Sequence, residues 1–261
     1  MSKKIVAIGG GENGRTKSDG TILPYETDLI DQEIIRLTGK EHPHYLFLGH
    51  SQQTPEYEEA YFNTMKKIYG DIYGCECKII TKKDLKDDFE TVKKLIEWAD
   101  IIYEGGGDTI GMLQLWFETG FDKVLRKAYE EGKVMCGISA GSICWFSLGN
   151  SGHPDYIKMD VNKIEALGFI DAYFSPHCNV EWKYDSIKKS LKEIDKIGIS
   201  VSDCAALEIV DDKYRIIKTK SIVDDIGPYV LKSYWKDNKY IENNINNTDA
   251  FESLDKLLNK E

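Results

Sequence analysis

Hydrophobic and polar positions along the first 138 residues form a repeating pattern of short apolar runs and longer amphipathic segments. The short runs are typical of buried strands, and the amphipathic segments are typical of helices. This alternation predicts a three-layer α/β/α fold, in which a mainly parallel sheet with right-handed crossovers lies between helices. The predicted strands span residues 4–8, 45–48, 77–80, 101–103 and 134–138, and the predicted helices span residues 27–38, 56–69, 89–98 and 109–131, the last broken at Gly120.

The pattern changes in the second half of the chain, where loops, short strands and a polar tail replace the regular alternation. Two apolar runs that flank Asp211-Asp212-Lys213 predict a C-terminal β-hairpin. An Asn-rich stretch at residues 243–247 indicates a mobile linker before a short amphipathic run. We therefore expect one α/β domain over residues 1–233, followed by a polar linker and short helix over residues 234–261. The further predictions are a polar loop at residues 149–162, strands at 169–174, 199–201, 206–210 and 214–218, and helices at 140–148, 182–196 and 251–258.

The formal net charge of −10 argues against nucleic acid and anionic membrane surfaces as partners. No apolar run approaches the roughly 20 residues that span a bilayer. The apolar stretch at residues 5–8 is too short for a signal peptide and fits a first strand. We therefore expect a cytoplasmic protein, either a monomer or a small homo-oligomer.

Six cysteines are spread along the chain. Cys75 and Cys77 have the wrong spacing for a usual zinc pair, and no second pair lies near them in the sequence. Most of the others fall in predicted strands or turns, which favours buried thiols in a reducing compartment. The cysteines therefore do not indicate a metal site.

A serine lies at the junction between the strand predicted at residues 134–138 and the helix predicted after it. Residues 137–141 read Gly-Ile-Ser-Ala-Gly, a G-x-S-x-G pattern whose glycines leave room for a sharp turn. Such a turn exposes the Ser139 hydroxyl, and the N-terminus of the next helix stabilises negative charge beside it. Ser139 is thus a candidate nucleophile, and the alternative is a tight turn with an incidental serine.

A run of three glycines, Gly105-Gly106-Gly107, separates another predicted strand from its helix. Glycines leave backbone N–H groups uncovered, so Gly107 is a candidate second oxyanion donor beside the amide of Ala140. Asp108, the next residue, is a good N-cap for the helix that starts at Thr109, which gives it a structural role as well as a possible one in the site.

Another glycine cluster, at residues 9–11, follows the first strand and partly matches a dinucleotide-binding loop. However, no helix begins within it, and no ribose-binding acid follows the second strand, where Leu48 precedes Gly49-His50-Ser51. We favour a loop that folds over the strand ends and offers Glu12 and Arg15 to a polar substrate.

Five histidines compete for the role of general base. His42 and His44 precede a strand and so lie at its amino end, whereas sites in parallel sheets form at the carboxyl ends. His153 falls in the polar loop, and His50 follows a strand and could line a pocket. His177 is favoured because it follows a strand that stops at a proline, which exposes its ring at the active edge.

Asp203, Asp155 and Glu208 are candidates for the acid that orients the histidine. Asp203 is favoured because it follows the strand predicted at residues 199–201, although an aspartate there can also simply form a turn. The chain order of serine, histidine and aspartate differs from the order in α/β-hydrolases, which weighs against a lipase or esterase. The same constellation nevertheless arises on unrelated folds.

These residues, taken together, resemble the peptidase E and cyanophycinase family of serine peptidases, specifically its dipeptidase E-like branch. The resemblance covers roughly residues 4–220 and implies a fold similar to the class I glutaminase (flavodoxin-like) domain. It also implies hydrolysis of short peptides, characteristically after an N-terminal aspartate, without a metal. The matching segments, in the family's order, are Gly105-Gly106-Gly107-Asp108-Thr109, Gly137-Ile138-Ser139-Ala140-Gly141-Ser142, Ser175-Pro176-His177 and Ser202-Asp203-Cys204-Ala205-Ala206-Leu207.

By position, the resemblance makes Ser139 the nucleophile, His177 the base and Asp203 the third member of the triad, where the family often has glutamate. Gly107 and Ala140 would form the oxyanion hole. Asp155 falls near another acidic position that the family uses.

This chain departs from the family pattern at two positions that bear on substrate choice. Asp108 stands where well-known members have asparagine, and it could attract the α-ammonium group of a substrate. The segment after His177 holds Lys183, Lys188 and Lys189 instead of an arginine, and lysine binds a carboxylate without bidentate geometry. Specificity for aspartate is therefore an open question at this stage.

We expect a serine exopeptidase that cleaves short peptides through an acyl-enzyme and needs no cofactor. Three alternatives stay open. One is another amide or ester hydrolase on the same turn, such as a cyanophycinase-like enzyme. Another is a thiol glutaminase, which is disfavoured because a serine holds the nucleophile position. The third is a binding protein without activity, in which Ser139, His177 and Asp203 would fail to converge.

Overall fold

The computed structural model describes residues 1–17, 19–151, 163–220 and 227–260. Its first half alternates strands and helices as the sequence pattern predicts. The strands are β1 (Lys4–Ile8), β2 (His44–Leu48), β3 (Glu76–Ile80), β4 (Ile101–Glu104) and β5 (Val134–Ile138). The helices are α1 (Asp28–Arg36), α2 (Pro55–Lys66) with a π-helical extension (Lys67–Ile72), α3 (Lys82–Asp87), α4 (Phe89–Trp98), α5 (Thr109–Thr119), α6 (Phe121–Glu130) and α7 (Ala140–Ile143).

Strands predominate in the second half of the described chain. They are β6 (Phe146–Gly149), β7 (Ile164–Glu165), β8 (Ile170–Pro176), β9 (Gly198–Val201), β10 (Ala205–Val210), β11 (Lys213–Lys218), β12 (Val230–Lys236), β13 (Lys239–Ile245) and β14 (Glu252–Ser253). The helices of this half are α8 (Glu181–Glu193) and α9 (Leu254–Leu258).

The main sheet contains eight strands in the order β14-β11-β10-β1-β5-β4-β2-β3. The five strands β1 to β5 are neighbours in this order and run parallel to one another. The predicted hairpin is confirmed, since β10 and β11 pair antiparallel and β10 pairs antiparallel with β1. The carboxyl ends of the parallel strands therefore meet at one edge, where ligand sites form in such sheets.

Helices cover both faces of the main sheet, which confirms the three-layer α/β/α prediction. Successive strand residues face opposite sides of a sheet, so each strand contributes to two cores. In β1, Ile5 and Ala7 pack with residues of α4, α5 and α6, whereas Val6 and Ile8 pack with residues of α1 and α2. All four side chains are completely buried.

The structure also contains a second sheet, which the sequence pattern does not predict. Its six strands have the order β13-β12-β9-β8-β6-β7. The helix expected over residues 140–148 ends at Ile143, and β6 begins at Phe146. The ring of Phe146 stacks on that of Phe174 in β8, with centroids 4.4 Å apart, and both side chains are fully buried. A short apolar run fits a buried strand as well as a buried helix, so burial against β8 decides the outcome here.

The Asn-rich stretch at residues 243–247 is expected to be a mobile linker, but its residues 243–245 lie in β13 and pair with β12. β12 and β13 form an antiparallel hairpin that pairs Val230 with Ile245 and Lys236 with Lys239. Asn243 and Asn244 occupy exposed strand positions, where low strand propensity matters less than pairing and packing elsewhere. Within the described residues, no helix is long and apolar enough to cross a membrane.

Candidate active site

Ser139 occupies a sharp turn between β5 and α7. Its backbone has φ 56° and ψ −114°, a strained conformation for a residue with a side chain. The flanking glycines are required because a Cβ atom on Gly137 would lie 2.4 Å from the Gly141 carbonyl oxygen, and one on Gly141 would lie 2.1 Å from the Glu104 carbonyl oxygen. The Ser139 N–H donates to the Ile8 carbonyl (3.1 Å), which ties the turn to β1. The structure therefore contains the sharp turn that the sequence predicts at Ser139.

His177 follows the last residue of β8 and brings its ring to Ser139. Its Nε2 lies 2.9 Å from Ser139 Oγ, within hydrogen-bond distance. Its backbone also has a positive φ, 53°. The side chain is about one-third exposed (34%), so the ring can exchange protons with solvent or a bound ligand.

Asp203 lies directly behind the histidine ring, two residues after β9. Its Oδ1 is 2.6 Å from His177 Nδ1, and its Oδ2 accepts a hydrogen bond of 3.3 Å from Asn179 Nδ2. Burial alone would raise the pKa of the Asp203 carboxyl, but the hydrogen bond and charge interaction with His177, together with Asn179, lower it. Asp203 thus stays ionised and can hold the Nδ1–H tautomer of the ring.

The glycine cluster after β1 forms the floor beneath His177 and Asp203. A Cβ atom on Gly10 would lie 1.8 Å from Asp203 Oδ1 and 2.5 Å from the His177 ring, and one on Gly9 would lie 2.2 Å from the Ser202 carbonyl oxygen. Gly10 also pairs with Asp203 in a parallel bridge. The cluster does lie over the strand ends, as expected, but its glycines also make room for the histidine–aspartate pair, which sequence reasoning missed.

The Gly105–Gly107 run lies beside the serine on its other side. A Cβ atom on Gly106 would lie 3.3 Å from Ser139 Cβ, and Gly107 has a φ of +149° that favours glycine. Ala140, the other predicted oxyanion donor, is the first residue of α7 and is buried. Both predicted donors therefore lie in segments that adjoin Ser139.

A pocket of about 860 Å³ opens in front of Ser139, His177 and Asp203. Its volume falls within the range of roughly 300–1,000 Å³ that is usual for small-ligand sites. Glu12 and Arg15 both line it, and they form an ion pair with Arg15 Nε 2.9 Å from Glu12 Oε2. The other lining residues are Gly11, Asn13, Thr16, Lys17, Leu23, Glu26, Gln52, Tyr57, Ala60, Tyr61, Thr64, Gly106, Gly107 and Ile138.

Asp108, a tentative substrate contact from the sequence, does not line this pocket. Asp108 caps α5, since its Oδ1 accepts hydrogen bonds of 3.1 Å from both the Ile110 and the Gly111 N–H groups. The structural role of Asp108 is thus the one the contacts support. Asp155 and His153 lie outside the described residues.

Of the other histidines that the structure describes, His42, His44 and His50 do not line the pocket. His50 is completely buried and accepts a hydrogen bond of 2.9 Å from Trp116 Nε1 at its Nδ1. Burial lowers the pKa of His50 to about 3, so its ring is neutral at ordinary pH. The expectation that His50 could line the pocket is therefore wrong. His44 stacks on Trp98 near the amino end of β2, with ring centroids 4.3 Å apart.

Buried cysteines flank the serine without offering a thiolate. Cys136 and Cys144 are fully buried, and desolvation raises the pKa of each thiol well above its ordinary value. A neutral, inaccessible thiol is not an activated nucleophile. Among the described residues, no group of three or more His, Cys, Asp or Glu side chains is arranged to hold a metal ion.

Lys183 is one of the lysines that could hold a substrate carboxylate. Its side chain is buried, with 6% of the residue exposed. Its Nζ donates a hydrogen bond of 2.9 Å to the Asn150 carbonyl, and it does not line the pocket. Burial lowers the pKa of its ammonium group to about 8. Among the described residues, the lysine and arginine side chains that line the pocket are Arg15 and Lys17, near the start of the chain.

Three polar residues near the site carry no sequence signal of their own. Asn179 accepts a hydrogen bond of 3.1 Å from the Asp203 N–H as well as donating to its carboxylate. Ser51 and Gln52 contact the carbonyl groups of the glycine run, as described below. Ser51 lies three residues after the end of β2 at Leu48, so its place at the carboxyl edge of that strand is the available clue.

Comparisons with known proteins identify the family and several similar chains. A family model described as peptidase family S51 matches residues 17–217. The chain is similar to an uncharacterised peptidase, YgaJ, of Bacillus subtilis (strain 168), with 28% identity over 230 residues that cover 84% of this chain and 89% of that protein.

Two solved structures share the fold. A peptidase from an acI-B1 actinobacterium superposes with a TM-score of 0.69 at 19% identity, over 97% of each chain. A putative peptidase E protein from Listeria monocytogenes EGD-e superposes with a TM-score of 0.60 at 15% identity, over 84% of this chain and all of that one. Since the family model covers most of its length, the chain belongs to peptidase family S51 and is a serine-type peptidase.

Proposed function

We propose that this protein is an exopeptidase that hydrolyses short peptides through Ser139, His177 and Asp203. The observation that carries the proposal is the continuous hydrogen-bonded chain from Ser139 Oγ to His177 Nε2 (2.9 Å) and from His177 Nδ1 to Asp203 Oδ1 (2.6 Å). This is the arrangement in which a histidine removes the serine proton while an aspartate fixes the ring tautomer.

In the proposed reaction, Ser139 Oγ attacks the scissile carbonyl carbon as His177 Nε2 takes the serine proton. The backbone N–H groups of Gly107 and Ala140 hold the negative charge that develops on the carbonyl oxygen. His177 then gives its proton to the leaving amine, the C–N bond breaks, and an acyl-enzyme remains. A water molecule, activated by His177, hydrolyses this ester and restores the serine.

The size and charge of the pocket support the proposal that the substrate is short and has charged ends. Its volume of about 860 Å³ suits a small ligand, and charged side chains of both signs line it. Arg15 and Lys17 provide positive charge that would attract a carboxylate, whereas Glu12 and Glu26 provide negative charge that would attract an ammonium group. An N-terminal aspartate carries both groups, so peptides that begin with aspartate are the substrates to try first.

The experiment compares the wild-type protein with Ser139→Ala on a dipeptide library and with a fluorophosphonate probe. We expect Ser139→Ala to lower kcat by about 10⁴- to 10⁶-fold and to abolish labelling. Ser147→Ala is a suitable control because Ser147 lies in β6 and donates to the Ala172 carbonyl (3.1 Å), away from the pocket. Equal cleavage by wild type and Ser139→Ala, or no cleavage and no labelling by either, would overturn the proposal.

A wider panel of acyl substrates, with dipeptides, esters and a branched aspartyl polymer, separates the proposed activity from other hydrolases that use the same serine turn. Cleavage confined to dipeptides supports the exopeptidase. Turnover of esters or of a branched aspartyl polymer, without turnover of dipeptides, would instead support the cyanophycinase-like alternative.

A further inference from the structure

The Gly106–Gly107 peptide is held in place by two side chains from the turn after β2. The Gly106 carbonyl oxygen accepts a hydrogen bond of 2.9 Å from Ser51 Oγ and another from Gln52 Nε2. Ser51 Oγ also lies 3.1 Å from the Gly105 carbonyl oxygen. Two consecutive carbonyl groups of the glycine run therefore point toward the β2 turn.

The direction of the Gly106 carbonyl fixes the direction of the Gly107 N–H. The described chain contains no cis peptide bond, and in a trans peptide the C=O and N–H groups point in opposite directions. Because the carbonyl faces Ser51, the Gly107 N–H points away from Ser51, toward the side where Gly106 adjoins Ser139. Gly106, Gly107 and Ser139 all line the pocket, so this peptide lies beside the reacting serine.

Those hydrogen bonds hold a peptide that joins two glycines. Glycines rotate freely, and Gly107 already has a φ of +149°. A flip of the peptide would turn the Gly106 carbonyl toward Ser139 and place negative partial charge where an oxyanion must form. Orientation of the donors before the reaction is what makes an oxyanion hole effective.

Ser51 itself is firmly anchored. It is almost completely buried (1% exposed), its N–H donates to the buried Glu104 carboxyl group (3.1 Å), and its carbonyl accepts from the Asp108 N–H (2.8 Å). Lys82 Nζ donates to the Gln52 carbonyl, which holds the next residue of the turn. The hydrogen bonds from Ser51 and Gln52 to the glycine run are therefore anchored to the ends of β2 and β4.

We propose that Ser51, assisted by Gln52, is a positioning residue that keeps the Gly107 N–H directed at the oxyanion. Ser51 does not line the pocket, so it acts through the glycine run and not on the substrate. The inference rests on the proposed serine mechanism, and it adds a requirement that neither the serine nor its histidine and aspartate partners supply.

The test measures the second-order rate at which a fluorophosphonate probe labels Ser139, together with kcat and KM for the best dipeptide of the library. We expect Ser51→Ala to slow labelling and lower kcat by about 10-fold, and Ser51→Ala with Gln52→Leu to do so by about 100-fold, since loss of an oxyanion donor outright costs roughly 10²- to 10³-fold. KM for Ser51→Ala should change less than twofold. The pH midpoint of kcat should match that of wild type, because the His177 environment is untouched.

Ser147→Ala is the matched control, since it also removes a serine hydroxyl that donates to a backbone carbonyl, but far from the glycine run. Thermal unfolding of every variant separates a loss of folding from a loss of orientation. If Ser51→Ala does not fold, Gln52→Leu removes the other hydrogen bond to the Gly106 carbonyl from a partly exposed position, and KM is measured beside kcat because Gln52 also lines the pocket.

The possible outcomes separate the inference from the function on which it rests. Wild-type labelling and turnover, with both Ser51→Ala and the double variant as fast as wild type, would overturn the positioning role and leave the serine mechanism standing. A fall in kcat that follows only the fraction of unfolded protein would overturn it as well. If wild type is never labelled and cleaves nothing, the proposed function itself fails, and the positioning role fails with it.

Discussion

At the scale of single residues, several residues of the site have left-handed backbone conformations, which residues other than glycine rarely adopt. Ser139, His177 and Cys204 have φ values of 56°, 53° and 60°. Each such residue costs on the order of 1–3 kcal/mol unless its surroundings impose it. Here backbone hydrogen bonds impose it, from Ser139 N–H to the Ile8 carbonyl and from Cys204 N–H to the Gly10 carbonyl.

Gly10 is the residue whose substitution tests this packing most directly. A Cβ atom there would overlap Asp203 Oδ1 at 1.8 Å, so Gly10→Ala must displace Asp203, His177 or the backbone of β1. We expect Gly10→Ala to lower kcat by about 10²-fold or more, because small displacements of a reacting pair have effects of that size. The measurement is kcat on the best dipeptide, beside the rate of fluorophosphonate labelling.

Gly227→Ala is the matched control for that substitution. A Cβ atom on Gly227 would meet no heavy atom within 4 Å, and its φ is not in the left-handed region. We expect Gly227→Ala to keep wild-type activity. Retention of full activity by Gly10→Ala would show that the floor beneath His177 and Asp203 is not a constraint on the site.

At the scale of elements, the sequence pattern predicts the parallel core and the turn that carries Ser139. The five strands of the first half are each found within a residue or two of their predicted bounds, and Gly120 separates α5 from α6 with a φ of 74°. These features are local, since they depend on periodicity and on a glycine that can adopt a left-handed conformation.

The second sheet depends on long-range partners, and for that reason the local pattern does not reveal it. Phe146 reads equally well as the end of a helix, and only its stacking on Phe174 in β8 makes β6 a strand. The same holds for the glycines of the site. Gly10 follows β1 and Asp203 follows β9, and nothing in either segment shows that the two must touch.

The sequence predicts a C-terminal helix but not what that helix packs against, and the structure allows its packing to be tested. Leu257 in α9 is completely buried within the same core as residues of α5 and β10. We expect Leu257→Ala to lower the free energy of unfolding by about 2–5 kcal/mol, as for other buried leucines. The measurement is the denaturant midpoint at constant slope, read by circular dichroism.

Leu29→Ala serves as the control for that substitution, since Leu29 in α1 is 49% exposed. We expect it to change the free energy of unfolding by no more than about 0.5 kcal/mol. A Leu257→Ala variant as stable as Leu29→Ala would mean that α9 does not pack on the core in solution.

At the scale of the whole molecule, the fold gathers the site from segments almost 200 residues apart. Six residues of the site follow six different strands, some in the main sheet and some in the second sheet. They are Gly10, Ser51, Gly107, Ser139, His177 and Asp203. Ser139 and Gly107 follow parallel strands of the main sheet, whereas His177 and Asp203 follow β8 and β9 of the second sheet. The two sheets together are therefore needed for the hydrogen-bonded chain, and the main sheet alone would hold the serine without its base.

The stability of the molecule should depend on pH through a buried carboxyl group that the site does not use. Asp31 in α1 is completely buried and accepts hydrogen bonds from Tyr25 (2.9 Å), Thr27 (2.8 Å) and Tyr69 (2.6 Å). Burial raises the pKa of Asp31 to about 6, and the three hydroxyl donors only partly offset this. An unfolded aspartate titrates near its ordinary pKa of about 3.9.

Between these two pKa values, the folded state binds a proton at Asp31 that the unfolded state has released. The contribution of Asp31 is therefore fully present below about pH 4 and is lost as the pH rises through about 6. We expect the free energy of unfolding of wild type, relative to that of Asp31→Asn, to fall between pH 4 and pH 7, because asparagine does not titrate. Denaturant unfolding of both proteins at several pH values in that window measures the difference. His50 and the surface carboxyl groups titrate equally in the two proteins and cancel in the comparison, so a difference that stays constant or rises with pH would contradict the assignment of a raised pKa to Asp31.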